Sequence, residues 1–197
     1  MDAKDLTTFT DAWNAVRLPA GADATTVDAS VLSLLALLAS MVDAHAAVEV
    51  GSHDGTTGLA LYSGMASDGV LTSVEADPER LRLAKEAFAA ADIPHARTRL
   101  IAADPNEVLS RLTDGGYDLF VSGGKPADHA GFADQAARLL RPGGVAVFLD
   151  LSDAMDLARR EPAQLSVRAF ADAIQSDERW LTSLLPLANG VLLAVLQ

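Results

Sequence analysis

The chain has 197 residues, and half of them are hydrophobic, which is enough for a folded domain of ordinary size and excludes a disordered chain. Its 27 Asp and Glu residues against 15 Lys and Arg give a formal net charge of −12. Because the sequence shows no basic patch, we expect no binding to nucleic acid or to an anionic membrane surface. The absence of cysteine excludes disulfides, thiolate metal sites and a cysteine nucleophile.

The N-terminal segment is acidic and polar and has no secretion-signal pattern. Within residues 1–17, the spacing of Leu6, Phe9 and Trp13 predicts a short amphipathic helix whose apolar side needs a partner surface. We therefore expect residues 1–25 to form a lid or a homodimer contact. The most apolar run, residues 31–42, is shorter than the about 20 residues of a membrane-spanning helix. It predicts a buried helix, and we expect a cytoplasmic protein.

From residue 46 onwards, short apolar runs alternate with helical patterns. The predicted strands are residues 46–51, 70–75, 98–102, 117–122 and 145–149. The predicted helices between them are residues 56–65, 77–91, 104–112 and 127–140, the last stopped by Arg-Pro-Gly-Gly. This alternation predicts an α/β fold in which helices cover both faces of a parallel sheet.

The C-terminal end follows a different pattern. Asn189 and Gly190 stand between two apolar runs, residues 181–188 and 191–196, which indicates a hairpin. We therefore predict that the last two strands are antiparallel to each other. With no linker or repeat in the sequence, residues 1–197 are expected to form one domain.

Ligands of such sheets bind beyond the carboxyl ends of the strands, so the residues that follow each strand are the candidate site. Gly51 and Gly55 permit a tight turn after the first strand, and Thr56 can hydrogen-bond at the start of the next helix. Glu75 ends the second strand 24 residues later (75 − 51), where a carboxylate can bind ribose hydroxyls. Together with Asp104 after the third strand, these residues predict a nucleoside ligand.

The charge of the glycine loop favours one nucleoside over others. The dinucleotide fingerprint Gly-x-Gly-x-x-Gly has His53 at its second glycine here, where an imidazole would crowd a diphosphate. Glu49 and Asp54 add negative charge beside it. S-adenosyl-L-methionine (SAM) has no phosphate and carries a sulfonium cation, which this loop suits. A nicotinamide-dependent oxidoreductase is the disfavoured alternative, and binding of such a cofactor would revive it.

Five segments carry a family resemblance, in this order along the chain: AVEVGSHDGTTGLAL, GVLTSVEADPERLRLAKEAFAAADI, RTRLIAADPNEVLSRL, GGYDLF and AARLLRPGGV. They resemble the class I SAM-dependent O-methyltransferases, in particular an actinobacterial branch similar to catechol and caffeoyl-CoA O-methyltransferases. The resemblance implies a Rossmann-like, seven-stranded, mostly parallel sheet with an antiparallel C-terminal hairpin and helices on both faces.

The resemblance also implies cofactor-binding roles for residues after the first three strands. These are Glu49, Gly51 and His53 for the methionine moiety and ribose, Glu75 for the ribose hydroxyls, Ala76 beside the adenine, and Asp104 with Pro105 along the adenine edge.

This sequence departs from the resembling family where the metal-dependent members hold Mg²⁺. Gly123 stands at the position of a metal-binding Asp, and Leu149 with Asp150 replaces an Asp-Asn pair. A hard divalent cation prefers several oxygen ligands, and one carboxylate does not supply them. We therefore predict no metal site. Pro126 stands at the position of the family's basic Lys, which Lys125 replaces only with a one-residue slip.

The candidate general bases are His53, His129 and Lys125. His53 and His129 both follow predicted strands and can approach one another, although we expect His129 to face solvent at the start of its helix. The sequence predicts SAM-dependent methyl transfer to a hydroxyl of a small-molecule acceptor without a metal. The alternative is an inactive SAM-binding or structural homologue, and turnover of SAM with an acceptor distinguishes the two.

Overall fold

A computed structural model of the chain describes residues 27–52, 54–151 and 162–197. The strands in these residues are β1 (Ala46–Val50), β2 (Val70–Glu75), β3 (Thr98–Ala102), β4 (Tyr117–Ser122), β5 (Leu140–Phe148), β6 (Trp180–Leu185) and β7 (Val191–Leu196). The α-helices are α1 (Ala29–Met41), α2 (Thr56–Gly64), α3 (Pro78–Ala90), α4 (Pro105–Leu109), α5 (His129–Leu139) and α6 (Pro162–Ser176). Short 3₁₀ turns occupy His95–Arg97 and Pro126–Asp128.

The seven strands form one sheet in the order β3-β2-β1-β4-β5-β7-β6. The first five strands are parallel, whereas β7 runs antiparallel to both β5 and β6. The predicted fold class is therefore confirmed, including the reversed last strand. Strand β1 pairs with β2 on one side and β4 on the other, so the crossover connections diverge at this point. A crevice opens there, at the carboxyl ends of β1 and β4.

Each face of the sheet carries its own hydrophobic core. Along β4, Leu119 packs into the core that α1, α2 and α3 cover, whereas Phe120 packs into the core that α5 and α6 cover. This alternation follows from the two-residue period of a strand. It also explains why the central strands β1 and β4 read as largely apolar runs, because both of their faces are buried.

Local capping places the helices as predicted. The Asp77 side chain accepts a hydrogen bond from the Glu79 amide at 2.9 Å, and Pro78 occupies the first turn of α3. Helix α4 ends at Leu109, three residues before the predicted end. None of the helices in the described ranges combines the length and the apolarity that a bilayer span requires.

Two connections differ from their predictions. The segment 141–144 does not precede the fifth strand but bulges within it, because Tyr117 pairs with Leu140 while Leu119 already pairs with Val145. The hairpin between β6 and β7 is not a two-residue turn: residues 186–190 connect the strands, and both Ala188 and Gly190 have positive φ values. Longer turns of this kind also accommodate the twist of paired strands.

The predicted helix within residues 1–17 lies outside the described residues.

Candidate functional site

A cavity of about 450 Å³ lies at the carboxyl ends of β1, β2, β3 and β4. Its volume falls within the range of small-molecule sites, about 300–1,000 Å³. Its walls come from the ends of these strands and from the helices that follow them. The lining residues are Val50, Gly51, Val74, Glu75, Ala76, Arg80, Asp104, Pro105, Asn106, Gly123, Gly124, Lys125, Asp128, Phe132 and Asp150.

The structure brings together the predicted residues that stand directly after the strands. These are Gly51, Glu75, Ala76, Asp104 and Pro105. Lys125 lies on the same wall, exposed, just before the 3₁₀ turn. His53 lies outside the described residues, so its predicted approach to His129 is not observed.

Three other predicted cofactor residues do not line this cavity. Glu49 is fully buried, and its carboxylate accepts hydrogen bonds from Thr57 and from Ser73. It points to the opposite face of β1 from Val50, which reaches the cavity. Gly55 lies close to α3: a Cβ atom on it would be only 2.8 Å from the Ala84 Cα. Thr56 hydrogen-bonds Asp54 through both its amide and its hydroxyl group.

The floor of the cavity is a close approach of two backbone loops. Gly51 has a φ of +79°, and a Cβ atom on it would lie 3.0 Å from the carbonyl carbon and oxygen of Gly123. The Gly51 amide donates to Val74 O and the Gly123 amide donates to Val50 O, each at 2.9 Å. Glycine is required at residue 51 for both reasons, its left-handed backbone and its contact with the neighbouring loop.

The charges on the cavity wall favour a cationic ligand. Glu75, Asp104, Asp128 and Asp150 line it, against Arg80 and Lys125. Glu75 is 6% exposed, and its carboxylate accepts a hydrogen bond from the Asp77 amide at 3.0 Å, which orients it. The buried Ser52 hydroxyl next to Gly51 has no hydrogen-bond partner among the described residues.

The prediction that His129 faces solvent is wrong. Its ring is fully buried, with Nδ1 lying 3.0 Å from Ser122 Oγ and Nε2 lying 2.9 Å from Leu149 O. The rings of Phe148 and Phe170 pack against it. Because a carbonyl only accepts, Nε2 carries the proton and Nδ1 accepts from the serine hydroxyl. The residue thus joins the ends of β4 and β5.

Burial lowers the pKa of His129, because its imidazolium form would lose hydration; the Leu149 carbonyl and the charges of Asp150 and Asp128 oppose this shift. The unfolded chain therefore takes up a proton near pH 6.5, where the folded chain does not. We expect the free energy of unfolding to fall as the pH drops below about 6.5, by up to about 1.4 kcal/mol per pH unit.

Urea denaturation between pH 5 and pH 8 checks this expectation. The His129→Gln variant should lack this component of the slope, whereas His95→Gln, at an exposed histidine, should keep it. The exposed His45, whose pKa is raised mainly by its hydrogen bond to the Asp43 carbonyl, contributes a slope of opposite sign in all three proteins. Identical pH profiles for His129→Gln and the unmodified chain would contradict the assignment.

Asp150 follows β5 with a φ of +61°, a left-handed conformation that aspartate tolerates better than most residues other than glycine. Its neighbours hold it there, since the Leu149 amide donates to Ser122 O at 3.0 Å and the Leu151 amide donates to Gly190 O at 3.1 Å. Its own Oδ1 accepts from Asn189 Nδ2 at 3.2 Å. The sequence indicates Asn189 only as a turn residue, and no local signal indicates this contact.

A second, smaller cavity of about 50 Å³ adjoins the first. The two cavities share Gly51, Gly123 and Asp150 as lining residues. The smaller cavity is lined further by residues at the start of α1 and by the β6–β7 connection, including Asn189. Asp150 therefore stands at the boundary between a large cavity and a small one.

The residues at the family's metal position do not fit a divalent cation. Gly123 and Leu149 have no side-chain oxygen, which leaves Asp150 alone at the end of β5. Within residues 27–52, 54–151 and 162–197, no three His, Cys, Asp or Glu side chains converge to hold a metal ion.

This strand order, with an acidic cavity at the carboxyl ends of the strands, is typical of α/β proteins that bind a nucleoside-type ligand. The O-methyltransferase family model matches residues 13–196, and the chain belongs to this family. The predicted resemblance is therefore confirmed.

Comparison with individual proteins agrees. A Mycobacterium avium (strain 104) protein assigned as an O-methyltransferase is 45% identical over 184 residues, which cover 92% of this chain and 81% of that protein. A solved structure from Corynebacterium glutamicum superimposes with a TM-score of 0.81 at 27% identity, covering 99% of this chain and 90% of the other. A Bacillus cereus O-methyltransferase, solved in complex with S-adenosylhomocysteine (SAH), has a TM-score of 0.77 at 20% identity and covers 100% of this chain and 92% of its own.

Proposed function

We propose that this chain binds SAM in the 450 Å³ cavity and transfers a methyl group to a hydroxyl of a small-molecule acceptor, without a metal ion. The observation that carries the proposal is the Glu75 carboxylate, buried, oriented by the Asp77 amide and placed on the wall of this cavity. A carboxylate at the end of the second strand is suited to accept hydrogen bonds from both ribose hydroxyls. Family membership supports the same cofactor.

The rest of the cavity fits the other parts of the cofactor. Ala76 leaves room beside an adenine, and Asp104 with Pro105 supplies the opposite edge. Gly51 and Gly123 have no side chains, so an aminoacyl chain can lie against their backbone. Bound SAM supplies an activated methyl group on a sulfonium cation, and the excess of carboxylates on the wall stabilises that cation.

Calorimetric titration with SAH tests the proposal. We expect saturable binding with one site per chain and a rise in the melting temperature on addition of the ligand. No heat and no thermal shift at millimolar SAH would contradict the proposed function. Methyl transfer to a hydroxyl then distinguishes an enzyme from the inactive homologue, which binds the cofactor without turnover.

Metal independence is a separate expected result. Because Gly123 and Leu149 supply no side-chain oxygen, nothing holds a cation that would orient a vicinal diol. We expect EDTA and Mg²⁺ to leave SAH affinity unchanged, and neither addition to change the rate at which catechol is methylated. Robust turnover of catechol that depends on Mg²⁺ would show that the metal position has been assigned wrongly.

The homodimer contact remains a proposal from the sequence, because the residues that would form it lie in the N-terminal segment outside the described ranges. The cytoplasmic location is likewise a proposal from the sequence.

A further inference from the structure

We infer that Asp150 is the residue that binds the acceptor hydroxyl and takes its proton, and that the acceptor is a neutral or cationic molecule with a single reacting hydroxyl. This inference rests on the proposed function. It assigns to Asp150 a role that does not involve a metal, and it takes the place of Lys125 and His129 among the candidate bases; His53 lies outside the described residues.

The first observation that supports this inference is the position of Asp150. Among the described residues, Asp150 is the carboxylate that lines both cavities, since Glu75, Asp104 and Asp128 line only the larger cavity and Asp28 only the smaller one. A methyl group moves between a bound cofactor and an acceptor, so the reacting oxygen must lie where the two binding spaces meet. The shared wall of Gly51, Gly123 and Asp150 is that meeting place, and Asp150 supplies its ionisable side chain.

The second observation that supports this inference is the backbone geometry around Asp150. Asp150 has a left-handed backbone with a φ of +61°, a conformation that aspartate tolerates better than most residues. Here the peptide groups on both sides of Asp150 are hydrogen-bonded to β4 and to the β6–β7 connection. Asn189 holds Oδ1 through its amide. The carboxylate keeps a fixed direction, while Oδ2 has no hydrogen-bond partner within the described residues.

The small cavity determines the class of acceptor. Its volume of about 50 Å³ is a third of the about 150 Å³ of a cavity that holds benzene, so it admits the reacting end of an acceptor rather than a whole ring. Val27, Val31, Leu187 and Val191 give it an apolar wall.

The described residues that line the small cavity carry a net negative charge. Asp28 and Asp150 line it, and its lining among the described residues includes no Lys, Arg or His. An anionic acceptor would meet two carboxylates there in a protein of net charge −12. Neutral and cationic acceptors meet no such repulsion.

The step balances without a further reactant. The acceptor oxygen forms a bond to the methyl carbon, the bond from that carbon to the sulfonium sulfur breaks, and the hydroxyl proton passes to Asp150 Oδ2. The sulfonium cation becomes a neutral thioether and the carboxylate becomes a neutral acid, so the charge is conserved. The proton then leaves Asp150 to water, to which the side chain is exposed.

The other candidate bases are placed less well. Lys125 lines the larger cavity but not the smaller one. His129 is fully buried, with both ring nitrogens bonded to Ser122 and Leu149. Its bond to the Leu149 carbonyl fixes the peptide just before Asp150, which makes His129 a positioning residue.

Three phenols of similar size test the inference: tyramine (cationic), tyrosol (neutral) and 4-hydroxyphenylacetate (anionic). Their binding to the chain saturated with SAH is measured by calorimetry, and SAH formation from SAM is measured with each. The variants are Asp150→Asn, which keeps the shape and tolerates a positive φ, and Lys125→Met. The control is Asp92→Asn, the same change at an exposed aspartate with a φ of +54° away from both cavities.

We expect tyramine and tyrosol to bind and react, and 4-hydroxyphenylacetate to do both at least tenfold more weakly. Asp150→Asn should lower kcat/KM at least tenfold and reduce the preference for tyramine over the anion, with SAH affinity within about twofold of the unmodified chain. Asp92→Asn should match the unmodified chain.

Equal binding of the anionic phenol, or full activity in Asp150→Asn, would overturn the inference. So would a loss of activity in Lys125→Met that Asp150→Asn does not show, or failure of all three phenols to bind and react while SAH binds. Failure of the unmodified chain to bind SAH would instead overturn the proposed function.

Discussion

Replacement of Glu75 by alanine should lower the affinity for SAH by at least about tenfold. A hydrogen bond to a charged, buried group contributes about 1.5–3 kcal/mol, and 1.4 kcal/mol corresponds to a factor of ten. Glu75 is 6% exposed and already oriented by the Asp77 amide, so little entropy is lost when a ribose binds to it. Calorimetry on the variant and the unmodified chain, under one buffer condition, measures the difference.

Two further variants sharpen this result. Glu75→Gln keeps an oxygen that can accept from the Asp77 amide but loses the charge, so its affinity should fall between those of the other two proteins. Glu79→Ala removes an exposed carboxylate from the first turn of α3, four residues along the chain, and should leave affinity unchanged. Glu75→Ala with an affinity within twofold of the unmodified chain would remove Glu75 from the cofactor site.

Replacement of His129 by alanine should lower the free energy of unfolding by about 3–5 kcal/mol. The change leaves a cavity between Phe148 and Phe170, and large-to-small core substitutions alone cost about 2–5 kcal/mol. It also removes the buried partners of the Ser122 hydroxyl and the Leu149 carbonyl, at about 1–3 kcal/mol for an unsatisfied group.

Urea denaturation at pH 7.5 measures this loss, with His95→Ala at an exposed histidine as the control. We expect the control to lie within about 0.5 kcal/mol of the unmodified chain. A loss below about 1 kcal/mol in His129→Ala would show that the imidazole does not hold β4 and β5 together.

Much of the fold follows from local pattern. The alternation of apolar runs and helical segments predicted the parallel strands, and Asn189 with Gly190 marked the reversed strand. The residues that follow the strands, Gly51 and Glu75 among them, could be placed at one edge of the sheet because parallel strands end together. These predictions need only the local sequence pattern and the shared direction of the parallel strands, and they need no contact between distant segments of the chain.

Contacts between distant segments were not predictable in the same way. Glu49 lies in a strand buried on both faces, where no polar alternation shows which way a side chain points. Asn189 contacts Asp150 across 39 positions of the sequence, and no local signal announces such a pair.

The burial of His129 and the presence of helix α6 could both have been predicted from local residue spacing. His129, Phe132, Ala136 and Leu139 are spaced along one face of α5, which places the histidine on the apolar side of its helix. Helix α6 was not predicted, although Val167, Phe170, Ala171 and Ile174 recur with the spacing of a buried helical face. A count of helical spacing in both segments would have found them.

A crystal structure of the chain with SAH would show directly where the cofactor binds. We expect SAH in the cavity at the ends of β1 and β2, with its ribose hydroxyls within hydrogen-bond distance of the Glu75 carboxylate and its sulfur facing the boundary formed by Gly51, Gly123 and Asp150. SAH bound elsewhere, or bound there with its ribose away from Glu75, would contradict this expectation.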